Sequence, residues 1–195
     1  TEPALAAASR PLEVAQRDFS KEKPVGDAVF DSYRRVYDYD ASPLAATVES
    51  RDTSNADWIL ERVSYAAAYG GERIPAMLFL PKRHPAPYQT VVFYPGSNAL
   101  HLRSSKDVGE RYSRAIDFVI RSGRAILYPI YKSTYERGDS LDSDYANQSV
   151  FYRDHVVMWA RDVRRSVDYL ASRADVDTAR LAYYGVSWGA YLAPM

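Results

Sequence analysis

From residue 57 onward, short apolar runs alternate with longer amphipathic stretches. Trp58 to Tyr65 is partly alternating, Ile74 to Leu80 is a second apolar run closed by Pro81, and Gly70-Gly71 lies between them as a turn signal. These runs predict an antiparallel hairpin. Thr90 to Tyr94 is continuously apolar and β-branched, the pattern of a strand covered on both faces. Val108 to Arg121 places Tyr112, Ala115, Ile116, Val119 and Ile120 on one helical face, and Gly123 ends it. Ala125 to Tyr128 is the next buried strand, stopped by Pro129. Val150 to Ser172 is the clearest helix. In it Val156, Ala160, Val163, Val167 and Leu170 recur at steps of four and three, with Arg164 and Asp168 as an i,i+4 pair on the wet side. Leu181 to Val186 is the final strand.

Buried strands alternating with amphipathic helices predict an α/β fold, with a parallel or mostly parallel sheet and helices on both faces. Ligands and chemistry in such sheets sit at the carboxyl ends of the strands. The polar, tyrosine-containing stretch 130–148 follows such an end and either lines a substrate pocket or is a solvated excursion. Residues 1–56 read differently. Pro3, Pro11, Pro24 and Pro43 punctuate them, and one helix is expected, capped by Asp27, with Val29, Tyr33, Val36 and Tyr37 on one face. They read as an N-terminal helical arm ahead of a domain at 57–195.

Composition narrows the function. The chain has 195 residues, 47% hydrophobic and 26% charged, enough apolar material for a core. Lys plus Arg and Asp plus Glu are both 25, so the basic excess of a nucleic-acid binder is missing. No apolar run is long enough to span a membrane, and Ala4 to Ala8 is too short for a signal-peptide core. The chain starts at Thr1, so an upstream segment is expected to have been removed or left out. There are no cysteines, which excludes disulfides, thiolate zinc sites and cysteine nucleophiles while fitting reducing and oxidising compartments alike. His84, His101 and His155 are far apart in sequence, so no metal site is expected.

The last predicted strand runs into Gly185-Val186-Ser187-Trp188-Gly189, a G-x-S-x-G pattern at a strand-to-helix turn. About 0.06 such matches arise by chance in a chain of this length, and the placement adds to that. A nucleophilic serine must stand above the sheet edge on a cramped turn, and glycines two residues before and after remove side chains that would collide. The amide of Trp188, at the helix start, is then placed to donate to an oxyanion. The competing reading makes Gly185 and Gly189 ordinary turn glycines and Ser187 a helix N-cap.

With that motif, residues 57 to 195 resemble the α/β-hydrolase superfamily, in particular its acetyl xylan esterase, dienelactone hydrolase and prolyl-oligopeptidase-like branch. Tyr94-Pro95-Gly96-Ser97-Asn98-Ala99, after the third strand, is similar to the segment where members usually carry His-Gly-x. The resemblance implies that Gly96 matches the glycine and that the Ser97 amide is the second oxyanion donor. Pro95 departs from the usual histidine, but the donor is a backbone group of the residue after the glycine. The helix with Tyr152-Arg153-Asp154-His155 and Trp159 also resembles hydrolase-like domains appended to some bacterial serine/threonine kinases.

The superfamily order is Ser, then Asp or Glu, then His. Only eight residues follow Ser187, none of them acidic or histidine. Asp154 and His155 are neighbours about 100° apart on a helix and cannot form a relay with each other. His155 is expected at a helix surface or against the sheet, His101 in a loop near the site, and His84 in solvent. The expectation is therefore the N-terminal part of a hydrolase sheet whose C-terminal strands are absent from the chain. It would be active only when a companion segment or chain supplies the Asp and His; a homo-oligomer with exchanged ends is another route. The resemblance implies an esterase acting on a small-molecule ester, with no cofactor. A prolyl-oligopeptidase-like peptidase and a non-catalytic sensing or interaction module are the alternatives.

Overall fold

A computed structural model describes residues 18–194. Pro3, Pro11, Met195 and the Ala4 to Ala8 stretch lie outside them. The described residues before Val36 form a unit of their own. Its helix α1 (Asp27–Arg35) exposes Val29, Phe30 and Tyr33. Asp27, expected as the cap, is instead the first helical residue, where its charge complements the helix dipole.

The second unit, from Val36, is built on a six-stranded sheet. The strands are β1 (Thr47–Asp52), β2 (Trp58–Ala66), β3 (Arg73–Pro81), β4 (Tyr88–Tyr94), β5 (Ala125–Pro129) and β6 (Val176–Gly185), in the order β1-β2-β3-β5-β4-β6. β1, β2, β3 and β5 pair antiparallel in succession, and β5, β4 and β6 form the parallel part. The β2–β3 hairpin turns at Gly70 and Gly71, both at positive φ (62° and 63°). β1 was not expected. Every residue in it is exposed, so it carries no apolar signature and joins the sheet through its backbone ladder with β2.

The period of two divides the sheet between two layers. Ala76, Leu78, Leu80, Val92, Ala125 and Leu127 face Tyr169 and Leu170 of α4 (Val150–Ala171). Met77, Phe79, Val91, Phe93, Ile126 and Tyr128 face the opposite layer, α2 (Val108–Arg111) and α3 (Ser113–Arg121). Helices thus cover both faces. The single helix expected over 108–121 breaks at Tyr112, whose φ and ψ are −105° and 16°. Gly123 ends α3 at φ 89°, and its amide bonds to the Ile120 carbonyl at 2.9 Å.

α4 matches its expected span, but its buried face is only partly the expected one: Leu170 is buried, and Val156 and Val163 pack half-buried against the core. Ser149 caps it, its side chain accepting from the Tyr152 amide at 3.0 Å. The inward residues are Tyr152, His155, Trp159, Asp162, Arg165, Ser166, Tyr169 and Leu170, whereas Val167 is exposed. Hydrophobicity alone left the face incomplete because its polar members are buried in bonded form. Ser166 pairs with Tyr65 at 2.7 Å, and Arg165 donates from Nε to the Ala66 carbonyl at 3.1 Å. Arg164 and Asp168 do not pair as expected. Arg164 donates to the Tyr37 carbonyl, and Asp168 accepts from Arg165 and Tyr39.

Candidate active site

The carboxyl ends of β4, β5 and β6 lie on one edge of the sheet, where the turn after β6 is tightly constrained. Ser187 stands between β6 and α5 (Trp188–Leu192) at φ 51° and ψ −110°. A non-glycine residue on that side of the map carries about 1–3 kcal/mol of strain. An N-cap serine has an extended backbone and accepts a bond from the following turn. Ser187 has neither feature: its side chain makes no capping bond and is exposed. The turn is pinned by backbone bonds instead. The Val186 amide donates to the Tyr94 carbonyl at 3.0 Å, and the Gly189 amide to the Pro95 carbonyl at 3.1 Å.

The two flanking glycines permit this closeness. A Cβ on Gly185 would lie 2.5 Å from the Ala190 nitrogen, and one on Gly189 would lie 2.5 Å from the Tyr94 carbonyl oxygen. These are backbone atoms that cannot swing away. Gly96 approaches from β4, where a Cβ would lie 3.6 Å from both Ser187 Cβ and Asn98 Oδ1. The Pro95-Gly96-Ser97 segment therefore runs alongside Ser187. Ser97 opens a 3₁₀ turn (Ser97–His101) and Trp188 opens α5. As first residues, their amides have no carbonyl partner within their own helices.

Beneath the turn is an aromatic floor. Trp188 is buried edge-on against Trp159 of α4 and against Tyr94, with centroids at 4.8 and 5.3 Å. Tyr94 stacks on Tyr131 at 3.9 Å, and the Tyr131 hydroxyl donates to the Phe93 carbonyl at 3.0 Å. Burial pushes the Tyr94 phenol well above its usual range, and its hydroxyl is without a hydrogen-bond partner. The Tyr183 hydroxyl ties β6 to α5 by donating to the Gly189 carbonyl at 2.7 Å.

The stretch after β5 is not a solvated excursion in its first half. Ile130, Tyr131, Ser133, Thr134, Tyr135 and Leu141 are buried. Fully buried Asp162 anchors it, accepting from the Lys132 amide at 2.9 Å, Arg137 Nη1 at 2.6 Å and the Tyr69 hydroxyl at 2.7 Å. Burial pushes the Asp162 carboxyl up, while Arg137 and the other two donors favour its charge. Trp159 Nε1 donates to the Lys132 carbonyl at 2.9 Å, so one ring braces both the turn and this loop.

His155 is buried, not at the helix surface. Its Nδ1 lies 2.7 Å from the Phe151 carbonyl and its Nε2 lies 3.0 Å from Asp139 Oδ2. Both ring nitrogens are engaged, so this imidazole has none free for Ser187. His84 lies against Gly123, below the amino end of β4 and away from Ser187. His101 is exposed at the end of its 3₁₀ turn. Among the described residues, no group of three or more His, Asp or Glu is placed to hold a metal ion, and no helix is long and apolar enough to cross a membrane. Sequence reasoning missed Asn98, Tyr112, Trp159 and the Asp162–Arg137 pair as neighbours of the site. Only the polar residues spaced along the inner face of α4 signalled the last.

No family model and no curated protein matches the chain. Solved structures do. A protein assigned as an acetyl xylan esterase from Bacteroides fragilis superposes with a TM-score of 0.64 at 16% identity, over 85% of this chain and 47% of that one. Acetyl xylan esterase 1 from Thermoanaerobacterium gives 0.60 at 13%, over 87% and 53%. A glucuronoyl esterase from Solibacter usitatus gives 0.55 at 14%, over 93% and 59%. The chain spans about half the length of these structures. At such identities the likeness is one of fold, and a mixed sheet covered by helices on both faces, superposing on these esterases, is the α/β-hydrolase fold.

Proposed function

We propose that the protein is a serine hydrolase acting on carboxylic esters, with Ser187 as nucleophile. Ser187 Oγ attacks the ester carbonyl carbon as its proton passes to a histidine. The tetrahedral oxyanion is held by the amides of Ser97 and Trp188. Collapse expels the alcohol, which takes that proton, and water then releases the acid from the acyl-serine by the same steps. The histidine and its orienting carboxylate come from a companion segment or chain of the same fold. Among the described residues His155 is engaged at both nitrogens, and the chain spans about half of the esterases it superposes on. The observation that carries the reading is the backbone of Ser187. A strained, non-capping, exposed serine between two glycines that admit no Cβ serves presentation of a hydroxyl better than it serves stability. That the superposing proteins are named as esterases supports an ester substrate over a peptide.

Labelling with a fluorophosphonate probe tests this. Modification of Ser187 in the full-length protein, lost in Ser187→Ala, is the expected result. No labelling in a preparation whose intact mass shows the complete polypeptide set would overturn it and favour a non-catalytic module.

A further inference from the structure

Beside Ser187 the structure holds a second polar group that the proposed chemistry does not use. Asn98 is exposed one residue beyond Ser97, and the point a Cβ on Gly96 would occupy lies 3.6 Å from both Asn98 Oδ1 and Ser187 Cβ. The Tyr112 hydroxyl donates to Asn98 Oδ1 at 2.9 Å. This fixes the carboxamide by its acceptor end. Its two N–H donors have no protein partner among the described residues.

Tyr112 is itself well placed to hold that orientation. It occupies the break between α2 and α3, and its ring packs edge-on against Phe93 at 5.5 Å and tilted against Tyr128 at 5.7 Å. The Tyr128 and Tyr135 hydroxyls bond to each other at 2.9 Å beneath it. Tyr135 is held there at φ 48°, a strained value for a bulky residue. A chain of phenols thus runs from the core to one exposed carboxamide at the site. An asparagine serving only its own loop would not need its acceptor tied to a different element.

We propose that Asn98 is a specificity-determining residue, donating a hydrogen bond to an oxygen that the ester carries close to its scissile carbonyl. Tyr112 is the positioning residue that aims it. This rests on the reading of Ser187 as nucleophile. The favoured substrates are esters with an ether or hydroxyl oxygen near the reacting carbon, on either the acyl or the alcohol side.

The test uses pairs of esters that differ by one oxygen in place of a methylene. The acyl pair is 4-nitrophenyl methoxyacetate against 4-nitrophenyl butyrate. The alcohol pair is 2-methoxyethyl acetate against n-butyl acetate. Each ratio of kcat/KM values is compared between the unsubstituted full-length protein, Asn98→Leu and Tyr112→Phe, so intrinsic reactivity cancels. In one pair the preference for the oxygen-bearing ester is expected to fall about tenfold in Asn98→Leu, the scale of one lost hydrogen bond. A smaller fall in the same pair is expected in Tyr112→Phe. That pair names the side of the ester that Asn98 reads. Equal loss on both members of both pairs, or unchanged ratios, overturns the proposal. Fluorophosphonate labelling of the same samples separates the two claims. Labelled protein with unchanged ratios sinks this inference alone, and unlabelled protein sinks the nucleophile and this inference with it.

Discussion

Trp188 meets Trp159 edge to face, with the ring planes at 88° and the centroids 4.8 Å apart. Trp188 follows the strained Ser187 directly, and Trp159 lies in the middle of a 22-residue helix. The contact transfers the rigidity of α4 to a turn that has only five helical residues behind it. Trp159 also holds the loop after β5 through its bond to the Lys132 carbonyl. Trp159→Ala should therefore cost about 3–5 kcal/mol in chemical denaturation, as large aromatic deletions do. It should also slow fluorophosphonate labelling of Ser187 under conditions where the variant is still folded. A stable variant with unaltered labelling would show that α4 does not brace the turn.

The glycines of the chain separate two physical reasons for having no side chain. Gly71 has φ 63° and open space around its missing Cβ, so Gly71→Ala costs only the backbone penalty, about 1–2 kcal/mol. A Cβ on Gly185 or Gly189 would strike main-chain atoms at 2.5 Å. Gly185→Ala and Gly189→Ala should each lower stability by more than Gly71→Ala and abolish labelling, because β4, β6 and α5 must part to admit the methyl. Equal melting shifts for all three variants would refute the close approach.

Ser187 should be a place where function opposes stability. Ser187→Gly removes the steric conflict of φ 51° at the cost of a more flexible unfolded chain. Thermal unfolding should show this variant at least as stable as the unsubstituted protein, by up to about 1 kcal/mol, while labelling disappears. A clear loss of stability would mean that the serine side chain supports the turn.

How far the sequence led can be judged residue by residue. The hairpin, the buried strands at 90–94 and 125–128 and the span of α4 were legible because apolar periodicity and glycine punctuation are local signals. The turn at Ser187 was legible from the local spacing of its two glycines, although only Gly185 is forced by neighbours in the chain, Gly189 and Ala190, while Gly189 is forced by Tyr94 at the end of β4. β1 was not, because an edge strand exposed along its whole length needs no apolar residue. The buried face of α4 was read only in part because Asp162, Arg165 and Ser166 find their partners about 25 to 100 residues away in the chain, a distance no helical wheel records. Asn98 beside Ser187 was hidden likewise. Its neighbours arrive from the β4 loop, the β6 turn and the start of α3.

The Asp162–Arg137 pair should behave as a buried ion pair. Arg137 reaches Asp162 at 2.6 Å, the Tyr69 hydroxyl at 2.6 Å, Glu72 at 3.1 Å and the Ile130 carbonyl at 2.9 Å. Arg137→Met leaves a fully buried carboxylate without its cation and should cost about 3–5 kcal/mol. Adding Asp162→Leu should recover part of that loss, since no charge then remains stranded. A double variant whose loss equals the sum of the two single ones would argue against the coupling.

The Asp139–His155 contact predicts a pH dependence that a single variant can isolate. Burial pushes the Asp139 carboxyl up, but hydrogen bonds from His155 and from the Leu141 amide outweigh it and hold the group below its ordinary value of 3.8. A carboxyl lowered by folding binds its proton more readily in the unfolded chain. Its contribution is therefore complete above 3.8 and disappears as the pH drops through the lower, folded value. Other carboxylates lowered by folding, Glu72 and Asp175 among them, titrate in the same region, so the acid unfolding of the protein alone does not single out Asp139. The difference between the protein and Asp139→Asn does, because carboxylates that do not touch Asp139 cancel. Below about pH 5 that difference should shrink as acid protonates the native carboxyl. A gap between the two unfolding curves that persists unchanged into strong acid would mean that Asp139 stabilises the fold through its shape and not through its charge.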